Sequence, residues 1–96
     1  MKFCILKTNI SDKPYQELRT FDHIQRTFKQ DIDELELVWH RDRKDREVTV
    51  IGETDWMFQL EDEIPQQLKN TIFIPKDTYH RVIKGTGELN ILIQEF

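Results

Sequence analysis

Apolar and polar residues alternate along most of this chain, which is the pattern of half-buried β-strands. After residue 33 the period is two, with Leu35, Leu37 and Trp39 on one side of the predicted strand. Further short strands are predicted over residues 46–51, 56–60, 71–74, 79–84 and 88–94. Gly52, Pro65, Pro75 and the turn at residues 85–87 separate them. The pattern therefore predicts an all-β sandwich or barrel.

The start of the chain has a different pattern. Residues 3–7 read as a strand, and residues 9–14 are rich in turn-forming types. A helix is predicted next, capped by Thr20 and with Asp22 at the positive end of its dipole. Its apolar face has three- and four-residue spacings and consists of Leu18, Phe21, Ile24 and Phe28. We expect this face to pack on the core and His23 to lie on the polar side.

Length and charge limit the possible functions. Ninety-six residues with 38% hydrophobic content suffice for one domain, over residues 1–96. The net charge of -4 would repel phosphate backbones and anionic lipid, so we expect no nucleic-acid and no membrane partner. The basic residues at 41, 43, 44 and 46 are interleaved with Asp42 and Asp45, which cancels much of their field.

Cysteine content and hydropathy indicate the compartment. The single cysteine, Cys4, excludes an intramolecular disulfide and the cysteine-rich zinc motifs. It lies in an apolar run, which favours a buried hydrophobic role over a reactive thiol. The chain has neither a signal-peptide pattern nor an apolar stretch long enough to span a bilayer. We therefore expect a cytoplasmic protein.

The residue types that carry chemistry concentrate in residues 39–47 and 74–81. On an extended strand, side chains at i and i+2 point to the same side, so His40 and Asp42 can converge on one point. His80, on a later strand, could supply a third ligand. Two imidazoles and one carboxylate with open positions suit a non-haem Fe(II) or similar divalent ion. Each residue taken singly could instead be solvated or ion-paired on the surface.

At these residues the sequence resembles the cupin superfamily, in particular its small single-domain, RmlC-like members. The first cupin motif reads roughly H-x-H, three or four residues, then E; here it is matched by His40, Asp42 and, after four residues, Glu47. The second, P-x-G-x-x-H, is matched by residues 75–80, ending at His80. Asp42 replaces the second histidine, Asp77 replaces the glycine, and Asp45 competes with Glu47 for the acidic position. The resemblance covers about residues 34–96.

The resemblance implies a cupin-type jelly-roll β-barrel with the N-terminal strand and helix packed outside. It further implies a divalent metal ion, with Fe, Mn, Ni and Zn undistinguished, or a small polar ligand in the barrel mouth. The metal ligands would be His40, Asp42 and His80, with Glu47 or Asp45 as fourth ligand or general base. The activity would then be that of an oxygenase or isomerase. The 2-oxoglutarate oxygenases share the H-x-D and distant histidine pattern, but this chain is short for their pockets.

Two alternatives stay open. The first is a non-catalytic cupin-like binding module without metal, its barrel filled with side chains. It would form a homodimer through apolar residues of the terminal strands, namely Phe3, Ile5, Ile91, Ile93 and Phe96. The second is metal-free proton transfer by a histidine and an acidic residue, as in the epimerases of this superfamily.

Overall fold

A computed structural model describes residues 15–96 of the chain. The predicted strand at residues 3–7, with Cys4, Phe3 and Ile5, lies outside this range. The strands are β1 Gln16–Arg19, β2 Ile24–Phe28, β3 Arg46–Val50, β4 Met57–Leu60, β5 Gln66–Gln67, β6 Thr71–Ile74, β7 His80–Ile83 and β8 Leu89–Glu95. One 3-10 helix, Glu34–Glu36, stands between β2 and β3. Within this range no helix has the length and hydropathy required to cross a membrane.

The strands form two antiparallel sheets packed face to face. The five-stranded sheet has the order β1-β2-β8-β3-β6, and the three-stranded sheet has the order β5-β4-β7. The five strands predicted between residues 46 and 94 are confirmed, with ends shifted by at most two residues. The expected closed barrel is corrected: residues 15–96 form two separate sheets, whose inner faces enclose the core.

Period-two alternation places the core between the sheets. On β3, Arg46, Val48 and Val50 are buried, whereas Glu47 and Thr49 are more exposed. On β8 the buried residues are Leu89, Ile91 and Ile93, and the three-stranded sheet contributes Trp56 and Phe58 from its own side. Ile91 and Ile93 are therefore core residues, so the expectation that they form an apolar dimer surface is wrong.

The helix predicted around residues 18–28 is also wrong, because this segment is the hairpin β1–β2. The Thr20 amide donates to the His23 carbonyl at 2.9 Å and closes the turn. Leu18 and Phe21, expected on the buried face, are 62% and 104% exposed. Ile24 and Phe28 are buried, but as alternate residues of β2 opposite Ile93 and Leu89 of β8. A spacing of four suits both a helix and a strand, and pairing with β8 decides for the strand.

The strand predicted from residue 34 is replaced by the 3-10 helix at residues 34–36 and by irregular backbone at residues 37–39. Asp33 caps this helix by accepting a hydrogen bond from the Leu35 amide at 2.9 Å. Leu35 is consequently exposed, and Trp39 is only partly covered. At the end of the segment, His40 forms an isolated antiparallel bridge with His80. The segment therefore pairs with a strand, β7, only at His40, which is the first of the candidate metal ligands.

A tight turn after β7 anchors the largest core residue. Trp56 is fully buried, and its indole Nε1 donates to the Gly87 carbonyl at 3.1 Å. Asp55 accepts hydrogen bonds from the Thr86 amide at 2.8 Å and hydroxyl at 2.9 Å, which fixes the turn against β4. Gly85 lies directly against this segment, where a Cβ would meet Asp55 Oδ1 and, at 2.7 Å, the Trp56 amide nitrogen.

We expect Gly85→Ala to lower the free energy of unfolding by about 2–3 kcal/mol, because the added methyl group overlaps backbone. Gly87→Ala is the matched control: its Cβ would meet nothing within 4 Å, and only its φ of 72° is unfavourable. That substitution should cost about 1 kcal/mol. Urea unfolding of both variants measures the difference. Equal destabilisation would contradict the close approach at Gly85.

Candidate metal centre

The site is built on the backbone bridge between two histidines. The His40 amide donates to the His80 carbonyl at 3.0 Å, and the His80 amide donates to the His40 carbonyl at 2.8 Å. Directly opposed residues of an antiparallel pair project to the same side of the sheet. The two imidazoles accordingly lie side by side, with ring centroids 4.2 Å apart in an edge-on arrangement.

The turn before His80 holds the Asp42 segment beside it. The Asp77 amide donates to the Asp42 carbonyl at 2.7 Å, and the Lys76 amide donates to Asp45 Oδ1 at 2.8 Å. Asp77 has a φ of 59°, in the left-handed region that favours glycine and that aspartate tolerates better than most residues. Glycine, the usual residue of the cupin motif at this position, adopts such a φ without strain, and the aspartate found here tolerates it. The Asp45 carboxylate fastens the turn and does not join the two histidines.

Both imidazoles are oriented by their own backbone. Nδ1 of His40 lies 3.1 Å from the Val38 carbonyl oxygen, and Nδ1 of His80 lies 2.9 Å from the Thr78 carbonyl oxygen. A carbonyl only accepts, so each neutral ring carries its proton on Nδ1 and a lone pair on Nε2. Histidine ligands of metal ions are commonly fixed in this way.

Asp42 completes the group from the same side. Its Oδ2 lies 3.3 Å from His80 Nε2 and 3.3 Å from Arg46 Nη1. Among residues 15–96 this buried oxygen has no hydrogen bond of acceptable geometry. One candidate ligand atom each from His40, Asp42 and His80 lies within 4.8 Å of the others. With the His80 ring neutral, the lone pair on its Nε2 lies against this carboxylate oxygen, and a cation or a proton is needed between them.

The protonation states of the group suit a cation. Burial lowers the pKa of His40, and the nearby His80 lowers it further, against the opposing effect of the Val38 carbonyl. Burial acts to raise the pKa of Asp42, but the neighbouring His80 and the charge of Arg46 lower it overall. At neutral pH His40 is therefore neutral and Asp42 ionised, which are the forms that bind metal.

The structure does not place an acidic residue beside the two histidines at the position where the first motif predicts one. Arg46, four residues after Asp42, is the residue that faces the interior. Its Nε and Nη2 donate to Glu95 Oε2 at 3.0 and 2.7 Å across the β3–β8 ladder. Glu47 lies on the opposite face of β3, between Phe73 and Gln94 in the register. The alternation of Arg46 with Val48 and Val50 was the sequence signal that could have found this arginine.

The two imidazoles open onto a cavity of about 210 Å³ between the sheets. Most of its wall is apolar and comes from both sheets; it includes Phe28, Val48, Phe58, Val82, Leu89 and Ile91. Arg26, Arg46 and the exposed Glu36 are also among the lining residues. The interior is thus not filled with side chains. The third histidine, His23, lies in the β1–β2 turn against Thr20 and Asp22 and takes no part in the site.

No protein-family model matches the sequence, and no curated protein matches it. Solved structures do match in fold. One is an RmlC-like cupin family protein with a double-stranded β-helix fold from Methanocaldococcus jannaschii, with 15% identity and a TM-score of 0.64. The match covers 99% of this chain and 90% of that one.

Two larger proteins share the fold over part of their length. A chain from the crystal structures of DMSP lyases has 17% identity and a TM-score of 0.64, over 76% of this chain and 36% of that one. Fe(II) HppE has 15% identity and a TM-score of 0.58, over 77% of this chain and 41% of that one. This chain therefore spans well under half the length of either. Together with the two facing antiparallel sheets, these similarities show that the chain has the cupin fold.

Proposed function

We propose that this chain is a metal-dependent cupin, in which His40, Asp42 and His80 bind a divalent transition-metal ion. The observation that carries the proposal is that His40, Asp42 and His80 each bring one ligand atom within 4.8 Å of the others, while the buried Asp42 Oδ2 lacks a hydrogen bond. Two imidazoles and one carboxylate form the set that non-haem Fe(II) sites use, with positions left open. Fe(II) HppE, which shares the fold, is a protein whose crystal structure contains Fe(II).

The bound ion would supply a Lewis acid or an oxygen-binding centre for an oxygenase or isomerase. The protein's own residues would orient the metal ligands, balance their charge and hold the small ligand. The carbonyls of Val38 and Thr78 keep the two rings in the metal-binding tautomer. Arg46 balances the charge of Asp42, and the apolar cavity holds a small ligand away from water beside the ion.

A second candidate is metal-free proton transfer. The 3.3 Å contact between His80 Nε2 and Asp42 Oδ2 would be equally satisfied by a proton on His80. A histidine that lines the cavity and the carboxylate beside it can then act as acid and base. Metal content separates this candidate from the first.

We expect the purified, untagged protein to bind one divalent ion per chain, with binding lost in Asp42→Asn and His80→Ala. Asp42→Asn keeps the side-chain volume and removes the charge, so loss of metal there does not reflect a cavity. His23→Ala is the control, because His23 is remote from the site. Elemental analysis after dialysis against Fe(II), Mn(II), Ni(II) or Zn(II) gives the stoichiometry. Wild-type protein that retains none of these ions would favour metal-free proton transfer.

Metal affinity should depend on pH in a defined direction. Protons compete with the ion for the two Nε2 atoms, and burial lowers the pKa of His40 below the ordinary value of 6.5. Affinity should therefore be nearly constant between about pH 8 and 7 and fall below about pH 6.5. Isothermal titration calorimetry with Mn(II) from about pH 8 to 5 measures it. An affinity unchanged down to pH 5 would contradict histidine ligation.

A further inference from the structure

Arg26 is a buried cation outside the group of three ligands. It lies on the inner face of β2, is 7% exposed, and lines the same cavity as His40 and His80. Its Nε and Nη2 donate to Oε1 of Glu17, its cross-strand neighbour on β1, at 3.0 and 2.7 Å. The guanidinium carbon lies 3.8 Å from the centroid of the Tyr15 ring. Its position and orientation are thus fixed from two sides.

The hydrogen-bond capacity of Arg26 exceeds what these contacts use. A guanidinium has five N–H donors, and the bonds to Glu17 take two. Arg46, the other buried arginine of the cavity, uses Nε and Nη2 on Glu95 and has Nη1 beside Asp42. Arg26 therefore lines the cavity and has N–H donors beyond the two that bind Glu17. The forked N–H donors of a guanidinium match the two oxygens of a carboxylate.

The charges around the cavity favour an anion once a metal is bound. The guanidiniums of Arg26 and Arg46 are paired with the carboxylates of Glu17, Glu95 and Asp42, and Glu17 also pairs with the exposed Arg19 at 3.0 Å. A divalent ion would add two positive charges to these paired groups. Glu36 stands at the exposed rim, where water screens it. An anionic ligand would offset part of the added charge in a space of low dielectric.

We propose that the cavity binds a small monocarboxylate with an apolar body, whose carboxylate accepts hydrogen bonds from Arg26. The proposal rests on the metal site proposed above. The apolar wall receives the body of the ligand, and the volume of about 210 Å³ is below that of pockets for drug-sized molecules. A branched or short aliphatic acid meets these limits. A phosphate has no apolar part and does not match the apolar wall.

The test compares an acid with its neutral amide on Co(II)-loaded protein. Isovalerate and isovaleramide have the same shape and differ in charge. We expect isovalerate to bind at least about tenfold more tightly than isovaleramide, as charge-assisted hydrogen bonds imply. Acetate, which lacks the apolar body, should bind more weakly than isovalerate. Calorimetry gives the affinities, and the visible spectrum of Co(II) reports whether the metal is still in place.

The matched variants replace both members of a pair, so that no buried carboxylate is left without a partner; Arg19, which also binds Glu17, is exposed. Arg26→Gln with Glu17→Gln should reduce the preference for acid over amide by about tenfold or more while Co(II) binding is retained. Lys29→Gln with Glu88→Gln removes an exposed pair, 3.2 Å apart and outside the cavity lining, and should leave that preference unchanged. Retained Co(II) stoichiometry serves as the check that each variant is folded.

The outcomes separate this inference from the proposed function. Failure of the wild-type protein to bind Co(II) would overturn both. Stoichiometric Co(II) with equal affinity for isovalerate and isovaleramide would overturn the monocarboxylate alone. A preference for the acid that persists in the Arg26 and Glu17 double variant would mean that the metal alone selects the carboxylate, and the role given to Arg26 would be wrong.

Discussion

The candidate site depends on one pair of backbone hydrogen bonds, the bridge between His40 and His80. Outside this bridge the segment from residue 29 to 45 has little regular pairing, since it contains only a 3-10 helix. The bridge places two imidazoles on one side, and the hydrogen bond between the Asp77 amide and the Asp42 carbonyl continues the alignment by two residues. Without these contacts the three candidate ligands would belong to separate loops. With them, the three side chains lie together, and the two imidazoles line the cavity.

The cost of burying charge explains why the site is an ordered network. A charged group removed from water is unfavourable unless it is paired and hydrogen-bonded, and breaking such a pair typically costs about 3–5 kcal/mol. Arg46 is paired with Glu95 and Asp42, and Arg26 is paired with Glu17. Asp42 Oδ2 is the exception, because within the described range it has charged neighbours and no hydrogen bond. A cation at this point would remove the deficit.

Sequence reasoning succeeded where one local rule was sufficient. The period of two found β3, β4, β6, β7 and β8 but not the short β5, and the rule that i and i+2 share a side placed His40 beside Asp42. It failed around residue 24, because the spacing of Ile24 and Phe28 is compatible with both element types and only pairing with β8 decides between them. It missed Arg46 because the motif directed attention to acidic residues, and Glu47 turned out to face outward. The pairing of Arg26 with Glu17 depends on the hairpin register, which the incorrect helix concealed.

The central claim is that His40, Asp42 and His80 together hold one metal ion. Anomalous diffraction at the cobalt edge, from crystals grown with Co(II), tests it most directly. We expect one peak per chain, at about 2.0–2.2 Å from Nε2 of both histidines and from an Asp42 carboxylate oxygen. A cobalt ion bound elsewhere, with His80 Nε2 and Asp42 Oδ2 still in direct contact, would contradict the account.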